Sequence, residues 1–359
     1  MPARAPLASV ILTALLVLAP VAAAADVGVR NATSADNVER SRGPGTTEWW
    51  FTGVIDPVSG EAFAASLGTR MASGPPATAV LSLPPGGGER TLGHLRLGAR
   101  ASRDRVDVRM GSDSLREVSP GVYRLRVRGR SGFALHGRAA DVSADLVIRR
   151  TAPGFVAGPM RLGKGQYVGW TVAAPRATAT GTFRVGGRTV RVKDAPAYHD
   201  HNWGRFSLSG GRLAGWDWSQ AFLPSGRALT VGVVKGITGP PDGVAVLSGP
   251  TRRLGTARSA DLDIDYRGWS RAGEFVYPPT MRQRGTLGRF RVDLTYTARR
   301  ATPLPFDRTG RSALVEVLAR VNGTITGPGG RVQKVTDAPA FYEYQSTPVS
   351  RRRDGAPGA

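Results

Sequence analysis

The chain has 359 residues, no cysteine and a formal net charge of +22, with 45 of its 49 basic residues arginine. The missing thiol excludes a disulfide framework, thiolate catalysis and lipid attachment at cysteine. The positive surplus suits an anionic surface, but the arginines are spread along the whole length and no nucleic-acid module signature is present, so nucleic acid is not an expected partner.

Residues 1–25 combine Arg4, an apolar run from Leu7 to Val21 broken by Pro20, and four alanines at 22–25. This is the layout of a secretory signal peptide, and its apolar part is short for a membrane span of about 20 residues. Export follows, to the cell envelope or the medium, with no stable membrane span after signal removal. Residues 26–45 read as a linker.

Beyond the linker, apolar and polar residues alternate in Val106-Asp107-Val108-Arg109-Met110, Tyr123-Arg124-Leu125-Arg126-Val127, Leu262-Asp263-Ile264-Asp265-Tyr266 and Phe290-Arg291-Val292-Asp293-Leu294. Period two marks strands with one buried face. Glycine- and proline-rich turns separate them and no long segment keeps a helical period, which predicts an all-β fold of antiparallel strands, a sandwich or an up-and-down barrel. The last stretch, 349–359, is arginine, glycine and proline without periodicity and is expected to be a disordered tail.

The chain contains similar runs twice. GTFRVGGRTVRVKDAPAYHDH from Gly181 and GTITGPGGRVQKVTDAPAFYEY from Gly323 share their lead-in, and Trp50-FTGVIDPVSGEAF lies without gap on Trp216-DWSQAFLPSGRAL. Two tandem units follow, 46–205 and 206–348, each the size of one β-barrel.

Chemistry concentrates in Asp194 to Gly204, DAPAYHDHNWG. In an extended strand His199, His201 and Trp203 share one face, and Tyr198, Asp200 and Asn202 the other. Imidazole beside a carboxylate suits acid–base work near neutrality. His-x-His is also a metal-ligand spacing that Asp200 or Glu48 would extend, but no third ligand with its own recognisable spacing is present, so no metal is assigned. Glu48-Trp49-Trp50-Phe51 opens the first unit and Gly215-Trp216-Asp217-Trp218 the second. Glu48 and Trp50 point together, whereas Asp217 points away from Trp216 and Trp218. Indoles there either plug the barrels as core or wall an apolar ligand. No Gly-x-Ser-x-Gly elbow, phosphate loop or dinucleotide fingerprint supports hydrolysis or nucleotide chemistry.

TEWWFTG, GQYVGWTVAAPRATATGTFRVGGRTVRV leading into AYHDHNWG, and GWDWSQ resemble the AttH-like, hydroxyneurosporene synthase-like family. That family includes carotenoid 1,2-hydratases and is related to lipocalin-like Diels–Alderases. The resemblance implies two tandem lipocalin-like antiparallel β-barrels packed together, a ligand pocket at their junction, and chemistry without a cofactor: hydration of an isoprenoid double bond or pericyclic ring closure. His201 and Trp203 take the places of the hydratases' histidine and tryptophan. Ala228 to Gly232 lacks the downstream Tyr and Asp, which leaves Asp217 or Asp200 as the acid. The expected protein is an exported lyase or isomerase of an apolar, unsaturated isoprenoid or polyketide-like substrate, or a carrier of such a ligand without turnover. Its expected catalytic residues are His201, Asp200, His199 and Asp217. Trp203, Asn202, Tyr198, Trp216, Trp218, Glu48 and Trp50 are the expected ligand contacts.

Overall fold

The computed structural model describes residues 28–72, 74–95, 98–208, 211–305 and 312–357; the expected signal peptide lies outside them. The structure is all-β and antiparallel. The alternating stretches form strands as expected, within Asp107–Met110, Val122–His136, Leu262–Arg267 and Phe290–Pro305.

The first unit closes into an eight-stranded ring. Its hydrogen-bonded order is Gln166–Val185, Arg188–Arg205, Thr47–Ile55, Ala62–Arg70, Ala77–Leu83, Arg90–Leu95, Val122–His136, Ala140–Arg150, and back to Gln166–Val185. Closure removes the free sheet edges. The second unit repeats the order through Ala313–Thr326, Val332–Ser346, Leu213–Phe222, Ala228–Gly236, Asp242–Ser248, Arg253–Arg258, Thr280–Leu287 and Phe290–Pro305. Here Arg253–Arg258 and Thr280–Leu287 lie side by side without pairing. Gly255 permits the approach, since a Cβ there would stand 2.0 Å from the Leu287 carbonyl oxygen.

The duplication extends to backbone detail. Gly181 and Gly323 hold φ of 141° and 144° at matching register breaks, and a Cβ at either would meet a carbonyl oxygen, of Asp145 at 2.1 Å and Asp293 at 2.0 Å. The aspartates of the two DAPA runs, Asp194 and Asp337, both have positive φ, 51° and 48°. Each donates its N–H to a side-chain oxygen of the preceding strand, Thr180 Oγ1 at 3.2 Å and Asn322 Oδ1 at 3.0 Å. The same two carbonyl-bearing aspartates take paired guanidinium contacts, Asp145 from Arg124 and Asp293 from Arg282.

Three hydrophobic cores result. One fills the first barrel around Trp50, Phe63, Tyr123 and Phe183, and one fills the second around Tyr296, Tyr342 and Tyr344. The third lies between the barrels, built from Phe51, Phe155, Trp170, Tyr198, Trp218 and Phe341.

Two expectations are corrected. Residues 28–45 are not a linker, because Val29–Asn31 pairs with Phe155–Gly163 and the segment after it packs on the first barrel. The tail is ordered over its described part, as helix Pro348–Arg353, with Asp354 in ionic contact with Lys235. Sequence periodicity could not report either segment, since single side chains rather than an apolar face anchor both.

Gly323→Ala is expected to destabilise the protein by about 1–3 kcal/mol, the usual cost of a residue forced into a disfavoured backbone region. A thermal melt compared with that of Gly330→Ala, at a glycine of positive φ with open space around it, reads the difference.

Candidate functional site at the barrel junction

Strand Arg188–Arg205 is buried on both faces over the motif, so its alternation divides the expected site residues between two places. His199 and His201 point into the first barrel with Glu48 and Trp50, all nearly without solvent contact. Trp50 stacks on His201 with ring centres 4.2 Å apart and planes 6° from parallel. His201 Nε2–H donates to Glu48 Oε1 at 2.8 Å. His199 Nδ1–H donates to the Phe51 carbonyl at 2.8 Å, and its Nε2 accepts from Asn37 Nδ2 at 2.9 Å.

The N-terminal segment covers this end of the barrel. Backbone N–H groups of Arg40 and Ser41 donate to the two Glu48 oxygens at 2.7 and 3.1 Å, and Trp50 Nε1–H donates to the Asn37 carbonyl at 3.0 Å. Burial lowers the pKa of both histidines, that of His199 to about 4. This group is a sealed polar core in which both rings are neutral. Trp203 is half-buried under the Arg40 guanidinium, 5.3 Å from its ring centre, and does not line the junction.

On the other face Tyr198, Asp200 and Asn202 point to the second barrel. Asp200 is buried and accepts from three donors: Tyr198 Oη–H at 2.7 Å, Trp170 Nε1–H at 2.8 Å and Asn202 Nδ2 at 3.0 Å. The donors favour the carboxylate and burial opposes it. Burial wins, raising the pKa to about 6.

The second barrel supplies a matching carboxyl. Asp200 lies opposite Phe51 in its ladder and Glu343 lies opposite Trp218 in the equivalent one. With Asp200 equivalent to Glu343, Trp49 is equivalent to Trp216 and Trp50 to Asp217. The gapless overlay of Trp50 on Trp216 is therefore one residue out, and a one-residue slip exchanges the two faces of a strand. Equivalent residues meet across the junction: Trp49 stacks on Trp216 at 5.9 Å, and Phe51 meets Trp218 edge-on at 5.6 Å.

Glu343 Oε2 accepts from Trp216 Nε1–H at 3.0 Å, and Glu316 stands directly across the ladder from Glu343. Burial raises the pKa of both glutamates; the Glu343 carboxyl raises that of Glu316 further, whereas at Glu343 the Glu316 contact lowers it and Asp200 adds to the rise. Both glutamates therefore favour the protonated form more than an isolated carboxyl does.

Two cavities meet at this place. The smaller, about 40 Å³, is lined by Trp170, Asp200, Asn202, Trp216, Trp218 and Glu343 among others. The larger, about 270 Å³, is lined mainly by apolar groups such as Trp49, Phe51, Leu81, Leu304 and Leu314, with Glu316 and Glu343 as its carboxyls. Among the described residues no three His, Asp or Glu side chains gather as metal ligands.

Solved structures share this architecture. An AttH candidate protein from Nitrosomonas europaea matches with a TM-score of 0.58 at 18% identity, over 83% of this chain and 91% of its own. CghA, crystallised with Sch210972, matches with a TM-score of 0.59 at 12% identity, over 89% of this chain and 98% of that one. Kievitone hydratase from Nectria haematococca gives 0.57 at 12% identity, over 89% and 96%. This chain has their fold. The lipocalin-like fold expected from the motifs is thus found, while no family model and no curated protein matches the sequence.

Of the expected contacts, Tyr198, Asp200, Asn202, Trp216 and Trp218 come together at the junction. His199, His201, Glu48 and Trp50 do not, because they face inward on the same strands. Asp217 borders the smaller cavity but spends its carboxylate on Lys235 at 3.1 Å. Glu316, Glu343, Trp49 and Trp170 were not expected. Glu316 carried a signal, as the lone charge in the apolar run Ala313 to Leu318, and Glu343 is the copy of Asp200 in the second DAPA run.

The lowered His199 pKa means that the fold favours neutral imidazole. That stability is complete above about pH 6.5 and is lost as pH falls toward about 4, by roughly 3 kcal/mol. Urea unfolding midpoints are expected to drop between pH 7 and pH 4, and His199→Gln to shrink that drop.

Proposed function

We propose that the protein is an exported, cofactor-free lyase or isomerase of the hydratase or cyclase kind, acting on an apolar, unsaturated substrate in the junction cavity. The observation that carries this reading is the Glu316–Glu343 pair on the wall of an otherwise apolar cavity. Two opposed, buried carboxyls share a proton, which keeps a neutral carboxylic acid available at neutral pH.

Glu343 is the proton donor to a substrate carbon. The positive charge that develops faces the indole rings of Trp49 and Trp216, which stabilise a cation through the ring face. Asp200, ionised above about pH 6, takes up a proton on the far side of Glu343. Water addition uses an acid placed this way, with Asp200 taking the proton released by the attacking water, and so does a cationic ring closure that ends by releasing a carbon-bound proton to Asp200. Kievitone hydratase, a neighbour in fold, is a hydratase by name, and CghA was crystallised with a small molecule; both support the reading.

The test begins with native mass spectrometry of the purified protein, to identify a co-purifying apolar compound. Glu343→Gln keeps the size of the side chain and removes the acid. It is expected to slow conversion of that compound by about 10² or more while Kd stays within about tenfold. Turnover should fall as pH drops through about 6, where Asp200 takes a proton. Binding without turnover in the unmodified protein would overturn the enzyme reading and assign a carrier.

A further inference from the structure

The mouth of the second barrel carries a separate polar centre that the junction chemistry does not use. Lys235 Nζ lies 3.1 Å from Asp217 Oδ1 and 3.2 Å from both oxygens of Asp354, and sits 5.2 Å from the centre of the Tyr266 ring. Tyr344 Oη–H donates to Asp354 Oδ2 at 3.1 Å. Lys235 and Asp217 are 6% and 3% exposed, so their charges belong to the barrel. Asp354 does not, for it follows the short terminal helix Pro348–Arg353.

These groups border an open recess of about 540 Å³ whose other walls include Val233, Leu262, Ile264 and Tyr266. The last three are half-buried apolar side chains packed on the barrel core. At the equivalent place in the first barrel, Asn37, Arg40 and Ser41 lie over the barrel end and bond to Trp50 and Glu48.

We propose that this mouth is a binding site for an amphipathic monocarboxylate, and that Asp354 of the chain's own tail occupies the carboxylate position until a ligand displaces it. An ammonium and a phenol hydroxyl converge on the Asp354 carboxylate, which is the donor set for one carboxyl group. Charge balance points the same way. Lys235 and the neighbouring Arg353 offset Asp217 and Asp354, so an incoming carboxylate keeps the centre neutral, whereas an amine would leave Asp354 in place and add an uncompensated cation beside Lys235. Leu262, Ile264 and the Tyr266 ring then receive the alkyl part of the ligand. Besides this one, the tail is held by Arg353 to the Gly236 and Gly239 carbonyls at 2.7 and 3.1 Å and by the buried Arg351, and its described residues contribute no strand to either barrel. Displacement therefore leaves both barrels intact.

Dodecanoate and dodecanol serve as probes, titrated calorimetrically into the full-length protein and into Asp354→Asn, with thermal melts confirming that both are folded. Dodecanoate is expected to bind Asp354→Asn at least about tenfold more tightly than the unmodified protein, while dodecanol shows no such gain. In the unmodified protein, saturating dodecanoate should also accelerate amide hydrogen exchange over residues 348–354, as the tail leaves. Equal affinities of dodecanoate for the two proteins overturn the proposal, as does binding that leaves exchange of the tail unchanged. Dodecanoate that enters only the junction cavity gives both of these results.

Discussion

The fold rests on two strand pairs that are buried on both faces. Thr47–Ile55 with Arg188–Arg205, and Leu213–Phe222 with Val332–Ser346, each line their own barrel with one set of side chains and the junction with the other. Strands covered on both sides cannot leave polar groups to water. Most polar groups in the motif therefore find a protein partner, Trp203 Nε1 and His201 Nδ1 being exceptions, and each face finds a different kind. Inward, His201 meets a carboxylate that accepts two backbone N–H groups, and His199 meets a backbone carbonyl and Asn37. At the junction, carboxyls meet indole and phenol donors.

That difference sets the electrostatics. Glu48 is buried and accepts N–H groups from Arg40, Ser41 and His201. Asp200 has comparable support from three side-chain donors and still stands well above the ordinary carboxylate range. Glu343 is raised further, to about 8, because burial there is opposed by fewer donors, Trp216 among them, and Asp200 adds like charge. Burial set against different donors holds Asp200 at about 6 and Glu343 at about 8, two carboxyls on the facing sides of two sheets. Acid and base within one site require such a gradient.

Much of this was legible in the sequence. Period-two patterning predicted the strands, the repeated lead-in and DAPA predicted the duplication, and alternation within Tyr198 to Trp203 sorted the two faces correctly. Which face borders a cavity was not legible, because the imidazoles lie on the sealed face and the cavity-lining carboxyls on the other. A strand's period says which residues travel together and is silent on which side is sealed. The one-residue offset between Trp50 and Trp216 had the same cause: tryptophan on tryptophan is a good match by residue type and a wrong one by facing. Ladder register decides it, since Trp50 lies opposite His201 and Asp217 opposite Tyr344. The tail escaped because individual polar contacts anchor it, Asp354 to Lys235 and Tyr344, and Arg353 to two carbonyls, and composition does not reveal such contacts.

The stacking of Trp49 on Trp216 joins a residue to its own copy. Contacts of this self-complementary kind are what a two-fold homodimer makes, where each patch meets itself and any substitution enters both sides at once. Writing the dimer as one chain releases that constraint. Phe51 could then face Trp218, and Asp200 could be answered by Glu343 backed by a second acid, so that one half keeps a base and the other a proton. A symmetric ancestor would have had two identical carboxyls there; covalent tandem duplication is what allows this interface to be polarised.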